Sequence, residues 1–382
     1  MPGQPPNRRA FPVRITPNPF NSGGTCMSPM FVPGPVDVAP EIMAAQSRPM
    51  LPHRAKEFEA IFHRAADKSR ALFGTQSRVL LNAASGSGLH EAAVRNFVHK
   101  KMLVCANGAF AKRWHDVAVS NGKDADLLDI DWQAPLLPEQ VAEAVKGKGY
   151  EAVAFVHNET STGLMNPAAA IAAAIREASP DSLILVDAVS SLAGAEMQMD
   201  AWDIDFVLTS SQKCLALPPG LSLAAINDRA MEKAKTVENR GWYFDFVRLE
   251  THRLKDTTPA TPAIGLIYAL DLQMDRILAE GLENRYARHR AMADCTAGWA
   301  VAHGFGLYAP EGYRSHTVTT LMNTPGIDMP ALKAFLLQRD TRIAGGYGKI
   351  KDTTFRIGHM GELTLADVQT LLAAFEEFMG KK

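Results

Sequence analysis

Leu185-Val186-Asp187-Ala188-Val189-Ser190-Ser191, followed by Asp205-Phe206-Val207-Leu208-Thr209-Ser210-Ser211-Gln212-Lys213, is the stretch whose reading decides the fold. Each half reads as a short apolar strand that breaks into a turn of small residues close to a charged side chain. In an open α/β sheet, ligands bind outside the carboxyl ends of the strands. Asp187 and Lys213 therefore place a carboxylate and an amine at two such ends.

Outward from this pair, Val79 to Leu81, Met102 to Cys105, Leu127 to Ile130, Val153 to Val156, Leu183 to Val186, Phe206 to Leu208 and Leu221 to Ala225 read as seven strands. Helical patterns lie between most of them, including the alanine-rich run from Ala168 to Arg176. The alternation predicts an α/β fold with a mostly parallel seven-stranded sheet flanked by helices. Ahead of the sheet, Lys56 to Phe73 predicts an amphipathic helix closed by Gly74. Phe31-Val32-Pro33-Gly34-Pro35 predicts a stiff extended leading segment, because the prolines disfavour helix.

Past about Arg240 the texture changes. Thr257-Thr258-Pro259-Ala260-Thr261-Pro262 reads as a linker, and a helical pattern then runs from Ala263 to about Ala302. A strand at His316 to Leu321, a helix at Ala331 to Arg339, a strand at Thr354 to Ile357 and a helix from Ala366 follow. The reading divides the chain into a large domain over 31–260 and a smaller α+β domain over 261–382.

The 382 residues carry a formal net charge of -1, with 47% hydrophobic and 21% charged residues, a balance that draws the molecule as a whole to neither nucleic acid nor an anionic membrane. No apolar run is long enough for a membrane-spanning helix. Cys26, Cys105, Cys214 and Cys295 lack metal-ligand spacing, so no metal site is expected; they point to a reducing, cytoplasmic compartment without a disulfide framework. The first 30 residues stand apart, with Arg8, Arg9 and Arg14 and no acid before Asp37. A targeting peptide uses such composition, but no amphipathic helix or apolar core is visible there. A disordered tail, or a true start at Met27 or Met30, is the expectation.

Two features carry chemistry. A lysine amine that meets a carbonyl forms a Schiff base, and a nearby carboxylate suits the ring nitrogen of pyridoxal phosphate, keeping it protonated as an electron sink. The strand ending near Leu81 runs into Asn82-Ala83-Ala84-Ser85-Gly86-Ser87-Gly88 and a helix. Backbone N–H groups at such a helix start favour a phosphate.

Together these pieces resemble the class V, fold-type I pyridoxal-phosphate aminotransferases, nearest to the serine/alanine–glyoxylate (serine–pyruvate) group. The resemblance runs from Phe31 nearly to the C-terminus. It rests on Ser210-Ser211-Gln212-Lys213 with Pro218-Pro219-Gly220 behind it, and on Val186-Asp187-Ala188-Val189-Ser190-Ser191, whose aspartate lies 26 residues before the lysine. Asn158-Glu159-Thr160-Ser161-Thr162-Gly163 and Arg356-Ile357-Gly358-His359-Met360-Gly361 complete the set. The resemblance implies that Lys213 holds the cofactor and moves the substrate's α-proton, and that Asp187 pairs with the pyridine nitrogen. It implies that Thr160 bonds the phenolic oxygen, that Ser85, Gly86, Ser87 and Gln212 cradle the phosphate, and that Phe110 stacks on the ring. Arg356 would clamp the substrate α-carboxylate. The family also implies a homodimer in which Thr261 reaches the other subunit's phosphate; the tyrosine that many relatives carry three positions earlier is Thr258 here.

The favoured reaction is transfer of the amino group of serine or alanine to glyoxylate or pyruvate by a ping-pong exchange. His53 and Arg54, in Leu51-Pro52-His53-Arg54-Ala55-Lys56-Glu57-Phe58, resemble the segment by which phosphoserine aminotransferases meet the substrate phosphate. Phosphoserine with 2-oxoglutarate is therefore the alternative. A lyase or cysteine desulfurase on the same fold is more remote, because Gln212 stands where desulfurases carry a histidine and Cys214 adjoins the lysine rather than a swinging loop.

Overall fold

The computed structural model describes residues 29–380. The expectations for the first 30 residues lie almost wholly outside that span. Fourteen strands form among the described residues: β1 (Met30–Phe31), β2 (Arg78–Asn82), β3 (Lys101–Ala106), β4 (Asp124–Asp129), β5 (Ala152–Val156), β6 (Asn158–Glu159), β7 (Leu164–Met165), β8 (Leu183–Asp187), β9 (Phe206–Ser210), β10 (Ser222–Ile226), β11 (Gly306–Leu307), β12 (Val318–Met322), β13 (Arg342–Gly345) and β14 (Thr354–Gly358). The large sheet has seven strands in the order β2-β10-β9-β8-β5-β3-β4. Only β10 runs against its neighbours. The carboxyl ends of β2, β3, β5, β8 and β9 consequently lie on one edge of the sheet.

Both faces of this sheet are buried, and the period-two alternation of strands sends successive side chains to opposite layers. Ile184, Val186 and Val207 join one apolar layer with Phe58, Phe73 and Met274. Leu183, Leu185, Phe206 and Leu208 join the other with Leu89, Phe97 and Phe246. Each such side chain, taken fully out of water, stabilises the fold by about 1.5–3 kcal/mol. The run Leu183–Asp187 is continuously buried for this reason, and its last residue is carried to the sheet edge as a charge within an apolar frame.

The helix Lys56–Phe73 forms as expected, and Gly74 closes it at φ +58, the left-handed conformation that favours glycine. The expected helix from Ala263 to Ala302 is two helices, Ile264–Glu280 and Leu282–Ala302. Gly281, at φ +82, breaks the run between them. The C-terminal sheet is ordered β1-β13-β14-β12-β11 over a core that includes Phe305, Phe355, Leu371 and Phe375. Three of its strands escaped the sequence reading, the two-residue β11 among them. β13 carries one fully apolar inward residue, Ile343, and β1 is two residues that pair in parallel with it, Phe31 opposite Ile343. The leading segment thus starts in the C-terminal sheet and then crosses to the carboxyl edge of the seven-stranded sheet, where Val36 meets Gln212.

Candidate active site

Five strand ends converge on a cavity of about 190 Å³. Its wall is supplied by Ser85, Gly86 and Ser87 after β2, Phe110 and Arg113 after β3, and Thr160 after β5. Asp187 at the end of β8 and Gln212 and Lys213 after β9 complete the expected residues, and His90 and Ser190 join them. Parallel strands bring these together because their loops all leave on the same side.

Lys213 is half-buried, and its Nζ donates to the carbonyl of Pro33 in the leading segment. Val36 N–H of that segment in turn donates to Gln212 O at 3.2 Å, so the strap is tied to the lysine turn. Gly34 is required there: its φ is +98, and a Cβ would stand 2.6 to 2.9 Å from the Lys213 side chain. Burial pushes the amine down to about 8, with Arg356 and Arg113 adding repulsion and Asp187 opposing it. A lysine near 8 has an appreciable neutral fraction at physiological pH, which a nucleophile and proton carrier needs.

Asp187 is 4% exposed. One carboxylate oxygen accepts from Val189 N–H at 2.7 Å and the other contacts His90 Nε2 at 2.8 Å. Thr160 Oγ1 donates to Ser190 Oγ at 2.8 Å, and Ser190 Oγ donates to Asn158 O at 2.9 Å. At the opposite end, the helix Gly86–Phe97 begins with no side-chain cap. Ser210 Oγ and Gln212 Oε1 are buried there without a partner among the described residues. Arg113, one turn after Phe110, donates to Ser87 Oγ at 3.0 Å and forms no ion pair among the described residues.

Glu159 positions the aromatic wall. Fully buried, its carboxylate accepts from Phe110 N–H at 3.1 Å, Ala111 N–H at 2.8 Å and Ser161 Oγ at 2.6 Å, capping the helix Ala109–Ser120. Burial raises its pKa, opposed by these hydrogen bonds. Gly108 makes the approach possible, since a Cβ there would lie 2.2 Å from Glu159 Cγ. Gly108→Ala is expected to destabilise the protein by about 2 kcal/mol and to shift Phe110, checked by thermal melting and by cofactor retention.

Arg356, in β14, is buried with its guanidinium donating to Gly345 O at 2.9 Å and Thr160 O at 3.2 Å. No carboxylate pairs with it among the described residues, and burial lowers its pKa. Tyr347 packs beneath it, 5.3 Å from the guanidinium carbon to the ring centre, and stacks on Phe110 at 5.1 Å. Phe110, the ring expected to stack on the cofactor, thus has an aromatic neighbour within the chain.

Three expected residues stand elsewhere. His53 and Arg54 lie just before the helix Lys56–Phe73, outside the cavity wall; Arg54 is exposed, and it adds to burial and Lys255 in lowering the His252 pKa. Thr261 is exposed and borders a separate hollow with Asn82, Ala83 and Tyr243, on the outer side of the Ser85 turn. Thr258 is buried and donates to Ala260 O at 2.6 Å. Conversely, His90, Arg113, Ser190 and Tyr347 went unread. A spacing signal existed for two of them: His90 lies three residues after Ser87, and Arg113 three after Phe110, on the same helix faces.

Pyridoxal phosphate fits this donor set: an uncapped helix start with unpaired hydroxyl and amide groups suits the phosphate, and a carboxylate held by N–H donors suits a protonated ring nitrogen. The fold and these residue types define a fold-type I transaminase that depends on pyridoxal phosphate. The profile described as aminotransferase class-V matches residues 37–349, and the chain belongs to that family. It is 34% identical to the L-aspartate–glyoxylate aminotransferase of Paracoccus denitrificans, over 93% of this chain and 92% of that one. It is 30% identical to the serine–glyoxylate aminotransferase of Methylorubrum extorquens, over 91% and 90%. Among solved structures, an alanine–glyoxylate aminotransferase from Nostoc sp. superposes with a TM-score of 0.86 at 28% identity, covering 92% of this chain and 94% of that one. Solved phosphoserine aminotransferases share the fold at 16 to 27% identity. As an aminotransferase, the protein acts on amino acids and 2-oxo acids. Among the described residues no helix is long and apolar enough to cross a membrane.

Proposed function

We propose that the enzyme moves the amino group of a small amino acid, serine or alanine first, to glyoxylate or pyruvate by a ping-pong exchange, with Lys213, Asp187 and Arg356 in the leading roles. The observation that carries this reading is a lysine near pKa 8 within electrostatic reach of a buried arginine that has only backbone carbonyls for hydrogen-bond partners among the described residues. Pyridoxal phosphate, when bound, supplies the electron sink that makes the α-proton acidic. Lys213 Nζ would take that proton and deliver it onward within the same half-reaction, and would run the transfer in reverse for the incoming oxo acid. Arg356 receives the α-carboxylate on its planar fork and so fixes which bond faces the lysine. Asp187 holds a proton on the ring nitrogen, Thr160 binds the phenolic oxygen through a hydroxyl oriented by Ser190, and Ser85, Gly86, Ser87 and Gln212 bind the phosphate.

Tyr347, in contact with both Phe110 and Arg356, favours a small donor by adding bulk beside the carboxylate clamp. The names of the glyoxylate-using relatives agree with the acceptor. A homodimer belongs to the same reading: the exposed Thr261, with Trp242 and Tyr243 exposed nearby, suits a surface shared with a second subunit's phosphate end. So does the cytoplasm expected from its free cysteines.

The test is a single half-reaction. Cofactor-loaded protein is mixed separately with L-serine, L-alanine, L-aspartate and O-phospho-L-serine, and loss of the yellow absorbance is followed. Rapid bleaching by serine or alanine is the expected result. Preferential bleaching by phosphoserine would instead bring His53 and Arg54 into the substrate site, and preferential bleaching by aspartate would replace the small-donor reading.

A further inference from the structure

His90 is 2% exposed on an otherwise apolar helix face, packed against Trp114 with ring centres 4.3 Å apart and the rings tilted by 31°. Most histidines so placed are packing residues, and His359 shows what that looks like here. Its two ring nitrogens bond His316 O at 3.0 Å and Thr319 Oγ1 at 2.9 Å, so both are consumed within the protein. His90 differs. Its sole hydrogen-bond partner among the described residues is the carboxylate that borders the cavity, its Nδ1 has none, and the ring itself forms part of the cavity wall.

An ionised carboxylate only accepts hydrogen bonds, so a 2.8 Å contact with Asp187 requires the proton on Nε2. With Val189 N–H on the other oxygen, Asp187 is held by one donor on each oxygen. Its remaining lone pairs are left for a third donor. We propose that His90 is a positioning residue for cofactor binding: through its Nε2–H it orients Asp187, so that the carboxylate meets the protonated ring nitrogen of the cofactor. Without that donor, the buried carboxylate would keep only Val189 N–H, and one of its oxygens would be free to turn away from the cavity. The inference rests on the assignment of Asp187 made under the proposed function.

The experiment compares His90→Met, which keeps bulk and loses the donor, with His90→Gln, whose amide nitrogen can reach the place of Nε2. Full-length proteins are titrated with pyridoxal phosphate, and affinity, the absorption band of the bound cofactor and the melting temperature of the cofactor-free protein are measured. His90→Met is expected to bind on the order of tenfold more weakly, with a shifted band and a nearly unchanged melting temperature. His90→Gln is expected to recover both the affinity and the band. If both variants bind with wild-type affinity and spectrum, the inference is wrong. It is equally overturned if both lose affinity together in step with melting temperature, which would make His90 a packing residue. Wild-type protein that binds no pyridoxal phosphate would instead sink the Asp187 assignment, a failure separable from that of His90.

Discussion

Lys213→Ala is expected to reduce turnover by on the order of 10⁴-fold or more, while the protein still folds and still binds pyridoxal phosphate weakly through Asp187 and the Ser85 turn. The side chain removed is half-buried and makes one hydrogen bond, to Pro33 O, so the structural cost is small beside the chemical one. No neighbour can take over: the other basic groups of the cavity wall are Arg113 and His90, which is engaged with Asp187. In the wild type, uptake of pyridoxal phosphate by the cofactor-free protein should follow the neutral amine. The sign follows from the lowered pKa: the rate climbs as pH rises toward about 8 and levels above it, since deprotonation creates the nucleophile. Stopped-flow absorbance against pH measures this, and in Lys213→Ala the profile should vanish.

The second large effect is expected at Arg356. Arg356→Met should lower kcat/KM for amino-acid donors by roughly 10³-fold, equivalent to ~4 kcal/mol, because a charged pair with the α-carboxylate is lost inside a desolvated cleft. Arg356→Lys should recover little, since a compact ammonium cannot reproduce the planar fork that Gly345 O and Thr160 O now hold in place. Those two carbonyls lose a donor in either variant, so a modest fall in melting temperature accompanies the loss. The control is an amine without a carboxylate. Its slow half-reaction should be the same in wild type and variant, which separates loss of the clamp from general damage to the site.

Much of this site is visible in the chain because the fold delivers it through strand ends. A buried strand needs a continuous apolar run, and Asp187 at the end of Leu183–Asp187 breaks that run conspicuously. The Ser85–Gly88 turn and Lys213 are marked in the same way, by strands that stop in small residues. What the chain conceals are contacts between distant segments. His90 meets Asp187 across 97 residues, and Arg356 reaches Thr160 across 196. No local period records such a pairing; His90 in particular obeys the apolar spacing of its helix and reads as core. Tyr347 lies in a glycine-flanked loop whose course is fixed only when Gly346 N–H bonds Thr354 O. The break at Gly281 and the short strands β1 and β13 were missed because helix and strand patterns continue across or around them, and tertiary packing decides the ends. For His53 and Arg54 the motif is legible, but the fold of the chain keeps them outside the cavity wall.

The most direct measurement is chemical trapping of the cofactor on the loaded wild-type enzyme. Reduction with borohydride, digestion and mass spectrometry identify the residue that carries the pyridoxyl group. The account predicts a single modified peptide, with the label on Lys213. A label on any other lysine, or none on a protein that is yellow before reduction, would contradict it.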